Sequence, residues 1–182
     1  SIVHILLPTR RPLYRYLKSI ASNYKNLDIL EIGSGDITIN QSAKHLFSNA
    51  NSFIQTDINN SYGHQFLDIT SEIQIEEKFD LILCTNVLEH IFDTKSAIQN
   101  LNLLLKEKAH LLVSTPFIYP LHDEPTDYWR FTEHALKELF SDFTISTTLF
   151  CVLVSTFLIS LFSLISLDLT GSIFCKVIVL FL

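Results

Sequence analysis

The stretch Asp28-Ile29-Leu30-Glu31-Ile32-Gly33-Ser34-Gly35-Asp36 decides the fold. A short apolar run enters a loop with glycines at 33 and 35, and Gln41 to Phe47 can then form a helix. The segment therefore reads strand, turn, helix. In an open α/β sheet such a turn stands at the carboxyl end of a strand, where ligands bind, and glycine allows the backbone to approach them.

The flanking sequence repeats the pattern. From Arg11 to Tyr24, Leu13, Tyr14, Leu17, Ile20 and Ala21 recur at helical spacing, which predicts an amphipathic helix ahead of the sheet. Ser52 to Thr56, Phe79 to Cys84 and Ala109 to Ser114 read as further strands. Between Thr94 and Leu105 one helical face carries Ala97, Ile98, Leu101, Leu104 and Leu105, with Asp93 or Thr94 as cap. Thr132 can cap a helix bearing Ala135, Leu136, Leu139 and Phe140, and Asp142 to Leu149 follows as a strand. This alternation predicts an α/β fold: a Rossmann-like, doubly wound, mainly parallel sheet with helices on both faces, spanning residues 1–148.

Beyond Asp142 no charged residue occurs until Asp168, and Leu149 to Leu167 is almost wholly Leu, Phe, Val, Ile and Ser. As a helix that run would extend about 28 Å, close to the hydrocarbon thickness of a bilayer. Residues 149–182 are accordingly expected to form an apolar helical hairpin in contact with a membrane, cut short at its end. A very apolar core helix and strand is the other reading.

Composition narrows the partners. A chain of 182 residues suits one domain with an appended element. A net charge of −6 and a pI near 5.6 argue against nucleic acid, which requires clustered Lys and Arg. Cys84, Cys151 and Cys175 are odd in number and lack metal spacing, so neither a disulfide framework nor a metal site is expected. The apolar stretch Ile2 to Leu7 is broken by His4 and followed by Pro8, too short for a secretion signal. These features predict a cytoplasmic protein, held at the inner face of the membrane if the tail contacts it.

A ligand combining adenosine with an amino-acid tail needs a glycine loop, a carboxylate for the ribose diol and a polar contact for adenine, each at the end of a neighbouring strand. Glu31, Gly33, Ser34 and Gly35 supply the first. Asp57, with Ile58 beside it, closes the next strand and can accept hydrogen bonds from both ribose hydroxyls. Asp68 and Ile69 follow where a later loop can meet adenine.

These segments, with Phe79-Asp80-Leu81-Ile82-Leu83-Cys84-Thr85-Asn86-Val87-Leu88-Glu89-His90-Ile91, resemble the class I S-adenosylmethionine-dependent methyltransferases, in the type 11-like branch, from about Asp28 to Phe140. The resemblance implies S-adenosylmethionine as cofactor, places Cys84, Thr85 and Asn86 near its methionine part, and has Val-Leu-Glu-His opening a helix. Ile37 stands where the family usually has a third glycine. A dinucleotide site competes for the same loop, although Thr38 occupies the last glycine position of GxGxxG.

The segment from Pro116 to Thr132, ending Asp127-Tyr128-Trp129-Arg130-Phe131-Thr132, follows the fourth strand and is placed to meet an acceptor. It is similar to a stretch in methyltransferases of bacterial surface-glycan biosynthesis, which implies a small-molecule or glycan acceptor. Transfer to a hydroxyl calls for a base, and His90, His122 and Asp127 are the candidates. The expected activity is O-methylation. A non-catalytic cofactor-binding or interaction module and a nicotinamide-dependent reductase are the alternatives.

Overall fold

The computed structural model describes residues 10–39, 42–117, 119–150 and 176–181. Helix α1 (Arg10–Ala21) leads into β1 (Asp28–Ile32), β2 (Ser52–Asp57), the two-residue β3 (Gln65–Phe66) and β4 (Phe79–Thr85). Helix α2 (Thr94–Leu103), β5 (Leu105–Thr115), α3 (Glu133–Leu139), β6 (Thr144–Phe150) and β7 (Lys176–Phe181) complete the described elements. The strands form one sheet in the order β3-β2-β1-β4-β5-β7-β6, and every pairing is parallel.

The strands are apolar on both sides because both faces are covered. Ile29, Leu81, Leu83 and Leu112 point to a layer with Leu13 and Leu17 of α1, Tyr24 and Phe47. Leu30, Ile82, Cys84, Leu111 and Val113 face the other layer, with Ala97, Ile98 and Leu101 of α2, Leu136 of α3 and Phe140. This two-sided burial is the predicted doubly wound arrangement. The caps follow the sequence as well: Asp93 accepts the Ser96 N–H at 3.1 Å, and Thr132 accepts that of Ala135 at 3.2 Å. Each such cap is worth about 1 kcal/mol.

Several expectations are corrected. The helix expected from Gln41 to Phe47 is reduced to a 3₁₀ turn, Lys44–Leu46. Ser42 and Ala43 spend their donors on Glu31, and the Lys44 N–H turns back onto the Ser42 hydroxyl at 3.0 Å. Val-Leu-Glu-His opens no helix; Leu88–His90 is a 3₁₀ turn, and α2 begins at Thr94. Strand β5 starts four residues earlier than its apolar run. The register shifts between Phe79 and Leu81, and Lys108 takes φ 61°.

At the carboxyl end, Lys176–Phe181 is a strand paired in parallel with β5 and β6, where the second arm of an apolar helical hairpin was expected. Val177, Ile178 and Val179 are β-branched and suit a pleated surface better than a helix. Most of the predicted membrane segment, residues 151–175, lies outside the described residues. Among those described, no helix is long and apolar enough to cross a membrane.

Candidate functional site

The glycine loop leaves β1 with its shape set from beneath. Glu31 is buried, and its Oε2 accepts the hydroxyls of Ser34, at 2.9 Å, and Ser42, while its Oε1 accepts the Ala43 N–H at 2.7 Å. A carboxylate buried this way is tolerated because its oxygens are met by donors. Glu31 and Ser34, both predicted as cofactor contacts, therefore act from below the loop. Ser34 also donates its N–H to the Thr56 carbonyl at 3.0 Å, tying the loop to β2.

Gly33 and Gly35 have φ of 68° and 71°, the left-handed region that favours glycine. Asp57, at the end of β2, accepts the Gly35 N–H on Oδ2 and the Asn59 N–H on Oδ1, each at 2.9 Å. Each oxygen keeps a second lone-pair direction, which a ribose diol can use. Ile37 does not fill the loop in place of the missing glycine. It is exposed, and its Cγ2 leans over Gly63, 3.2 Å from where a Cβ on that glycine would stand. Beside the loop lies a hollow of about 250 Å³ lined by Asp36, Ile37, Ser42, Lys44, His45, Gln55 and His64. The exposed loop backbone, the half-satisfied Asp57 and the outward Ile37 fit an adenosine-bearing cofactor.

The other predicted cofactor contacts divide into two groups. Thr85 ends β4, and Asn86 follows at φ 54°, accepting the Ser114 hydroxyl at 3.1 Å, so both stand at the crevice edge. Ile58 is exposed beside Asp57. Asp68 is closed into its own turn, receiving Thr70 N–H at 2.8 Å, Thr70 hydroxyl at 2.7 Å and Ser71 hydroxyl at 2.8 Å. Ile69 and Cys84 are core residues, and burial pushes the Cys84 thiol far up, so neither lines the crevice. The alternation of β4 accounts for Cys84: its side chain falls on the α2 face of the sheet.

The three candidate bases come from two separate segments and converge. The rings of His90 and His122 meet edge to face with centroids 4.9 Å apart, and Tyr119 meets His122 at the same distance. Asp127 is no base. Its Oδ1 and Oδ2 receive the two terminal nitrogens of Arg130, each at 2.6 Å, and this bidentate pairing holds its carboxyl well below the usual carboxylate range. The same Oδ2 accepts the His122 N–H at 2.9 Å, while Arg130 donates to the carbonyls of Tyr119 and Pro120. Asp127 and Arg130 thus fasten the loop that carries His122.

The sequence reading missed Glu89. It is fully buried, neither oxygen has a hydrogen-bond partner among the described residues, and burial pushes its carboxyl up to about 8. Its Oε1 lies 4.0 Å from His90 Nε2. Its carbonyl accepts the N–H groups of Tyr128 and Trp129 at 2.8 and 3.2 Å, which draws the 116–132 loop over the turn. The signal was the charged pair Glu89-His90 in an otherwise apolar turn, read only as the opening of a helix.

Comparison with known proteins gives the family and the fold. Residues 10–149 match the family described as methyltransferase domain. N-methyltransferase NodS from Bradyrhizobium japonicum WM9 is similar in structure at TM-score 0.55 and 20% identity, over 76% of this chain and 84% of that one. The YcgJ protein from Bacillus subtilis gives TM-score 0.55 and 16% identity, over 70% and 67%. A NodS structure in complex with S-adenosyl-L-homocysteine aligns at TM-score 0.44 and 25% identity over 57% of this chain, which spans 60% of that one. None of the curated proteins matches. The family match extends over most of the sequence, from α1 to β6, and the chain belongs to the methyltransferase domain family.

Proposed function

We propose that the protein transfers a methyl group from S-adenosylmethionine to an oxygen of a small-molecule or glycan acceptor. When bound, the cofactor supplies an electrophilic methyl group for in-line displacement. The loop backbone at Gly33 and Gly35 would lie against it, Asp57 would accept its ribose hydroxyls, and Thr85 and Asn86 would border its amino-acid end. The segment 116–132 would position the acceptor, with His90 or His122 accepting the hydroxyl proton as the C–O bond forms and the C–S bond breaks.

One observation carries this reading: the glycine loop packs against the short turn that carries His90, the ring that His122 meets. A Cβ placed on Gly33 would stand 2.5 Å from Val87 Cγ2, and His90 is three residues further on. Donor and acceptor machinery are thereby adjacent. The acceptor class is supported by the polar and aromatic loop around Tyr119, His122 and Trp129. The apolar run after Phe150 would keep such an enzyme at the inner face of a membrane, near lipid-linked acceptors; flotation of the full chain with liposomes tests that part.

The central test is calorimetry with S-adenosylhomocysteine, followed by mass-spectrometric assay for methylated hydroxyl acceptors. Binding that Asp57→Ala weakens, together with methyl transfer, supports the reading. Binding without transfer to any hydroxyl acceptor favours a non-catalytic module, and NAD binding in its place favours a reductase.

A further inference from the structure

We propose that Glu89, His90 and His122 form a binding site for a divalent transition-metal ion of the zinc class. One potential ligand atom from each residue lies within 4.8 Å of the others. Coordination at about 2.1 Å puts neighbouring ligand atoms about 3.4 Å apart in a tetrahedral site, so the cluster needs to contract by about an ångström.

The tautomers favour metal binding. His90 Nδ1 is 2.9 Å from the Thr126 carbonyl, so this nitrogen carries the proton and Nε2 keeps its lone pair. His122 Nδ1 is 3.1 Å from Asp127 Oδ2 and 3.3 Å from the Pro120 carbonyl, both acceptors, which leaves its Nε2 lone pair free as well. Arg130, 3.5 Å from that Nδ1, directs its donors to the Asp127 carboxylate and to carbonyls. An imidazole with one nitrogen held by a carbonyl or carboxylate and the other unprotonated has the outer support typical of a metal ligand.

Glu89 is the independent observation. Its carboxylate is fully buried beside His90 Nε2, and neither oxygen has a hydrogen-bond donor among the described residues. A carboxyl buried without partners is held as the neutral acid unless a cation meets it, and an arriving ion would displace that proton and take the carboxylate as ligand. Arg130 is the nearby cation, and its guanidinium is committed to Asp127. Two imidazoles with one carboxylate suit zinc and its neighbours better than magnesium or calcium, which prefer oxygen alone. Asp123, exposed and with Oδ2 4.0 Å from His90 Nε2, is positioned to become a fourth ligand or to leave that position to an acceptor oxygen.

The existence of this site does not depend on the transferase reading, although its use does. With both Nε2 atoms on the ion, the histidines would serve as ligands in place of bases: the ion would hold an acceptor hydroxyl and lower its pKa, and the proton would leave to solvent before methyl transfer.

The test titrates chelator-treated full-length protein with zinc chloride by calorimetry and with cobalt chloride by visible absorption. One equivalent and a ligand-field band are expected, with affinity at least tenfold weaker in His122→Ala and in Glu89→Gln and about 10–100-fold weaker in Asp127→Asn. Failure of wild-type protein to take up either ion, or uptake unchanged in His122→Ala, overturns the proposal. His122 lies on a loop, so that variant decides the matter even if Glu89→Gln does not fold. A parallel titration with S-adenosylhomocysteine separates the two readings, since either ligand can bind without the other.

Discussion

Gly33 sits so close to Val87 that a single added methyl group at residue 33 would stand 2.5 Å from Val87 Cγ2. Its φ of 68° adds strain for any larger residue. Gly33→Ala is therefore expected to push the glycine loop away from the β4 turn and to weaken S-adenosylhomocysteine at least tenfold by calorimetry. Adding Val87→Ala should recover part of that loss, because it removes the clash and leaves the backbone strain.

Ser42→Ala removes a hydroxyl donor from the buried Glu31 carboxylate. An unmet buried acceptor costs about 1–3 kcal/mol. Urea denaturation should show a loss of that size. Cofactor affinity should fall with it, since the loop above would lose its support.

Arg130→Leu leaves Asp127 as a buried charge without its partner and releases the carbonyls of Tyr119 and Pro120. Breaking one side of such a pair costs about 3 kcal/mol. A lower denaturation midpoint and a raised acceptor KM are expected, with cofactor binding little changed. The pH profile of methyl transfer should contain no step from Asp127, which stays ionised throughout the working range.

At the opposite end of the sheet, Lys106 Nζ joins Asp28 at 2.7 Å and Asp80 at 2.9 Å. Hydrogen bonds from Lys106, Asn51 and Ser52 lower the Asp28 pKa from 3.8 to about 2. A depressed carboxylate contributes stability that is present above its unfolded pKa and is lost as pH falls through the folded one. Thermal denaturation between about pH 4 and pH 2 should show this loss, and Lys106→Met should flatten it.

The sheet was legible in the sequence because its strands are buried on both faces and so appear as unbroken apolar runs. Ile29, Leu30, Leu81, Ile82, Leu83, Leu111, Leu112 and Val113 identify the central strands directly. The start of β5 was hidden because Lys106, Glu107 and Lys108 resemble a loop. Period alone cannot distinguish a strand from a helix in a short apolar run, which is why β7 was read as a helix arm. The glycine loop and Asp57 were visible from spacing. The convergence of Glu89, His90 and His122 was not, since the 116–132 loop joins them through main-chain and ion-pair contacts that leave no periodic trace.

The Glu89 carbonyl holds the N–H groups of Tyr128 and Trp129, while Val87, two residues earlier, bears on Gly33. A displacement of this turn by one ligand must therefore be felt at the seat of the other. Thermodynamic linkage then requires reciprocity: whatever factor the cofactor imposes on acceptor affinity, the acceptor returns to the cofactor. The turn from Val87 to His90 is thus expected to make the two substrates cooperative, and variants that slacken it should uncouple them before abolishing either affinity.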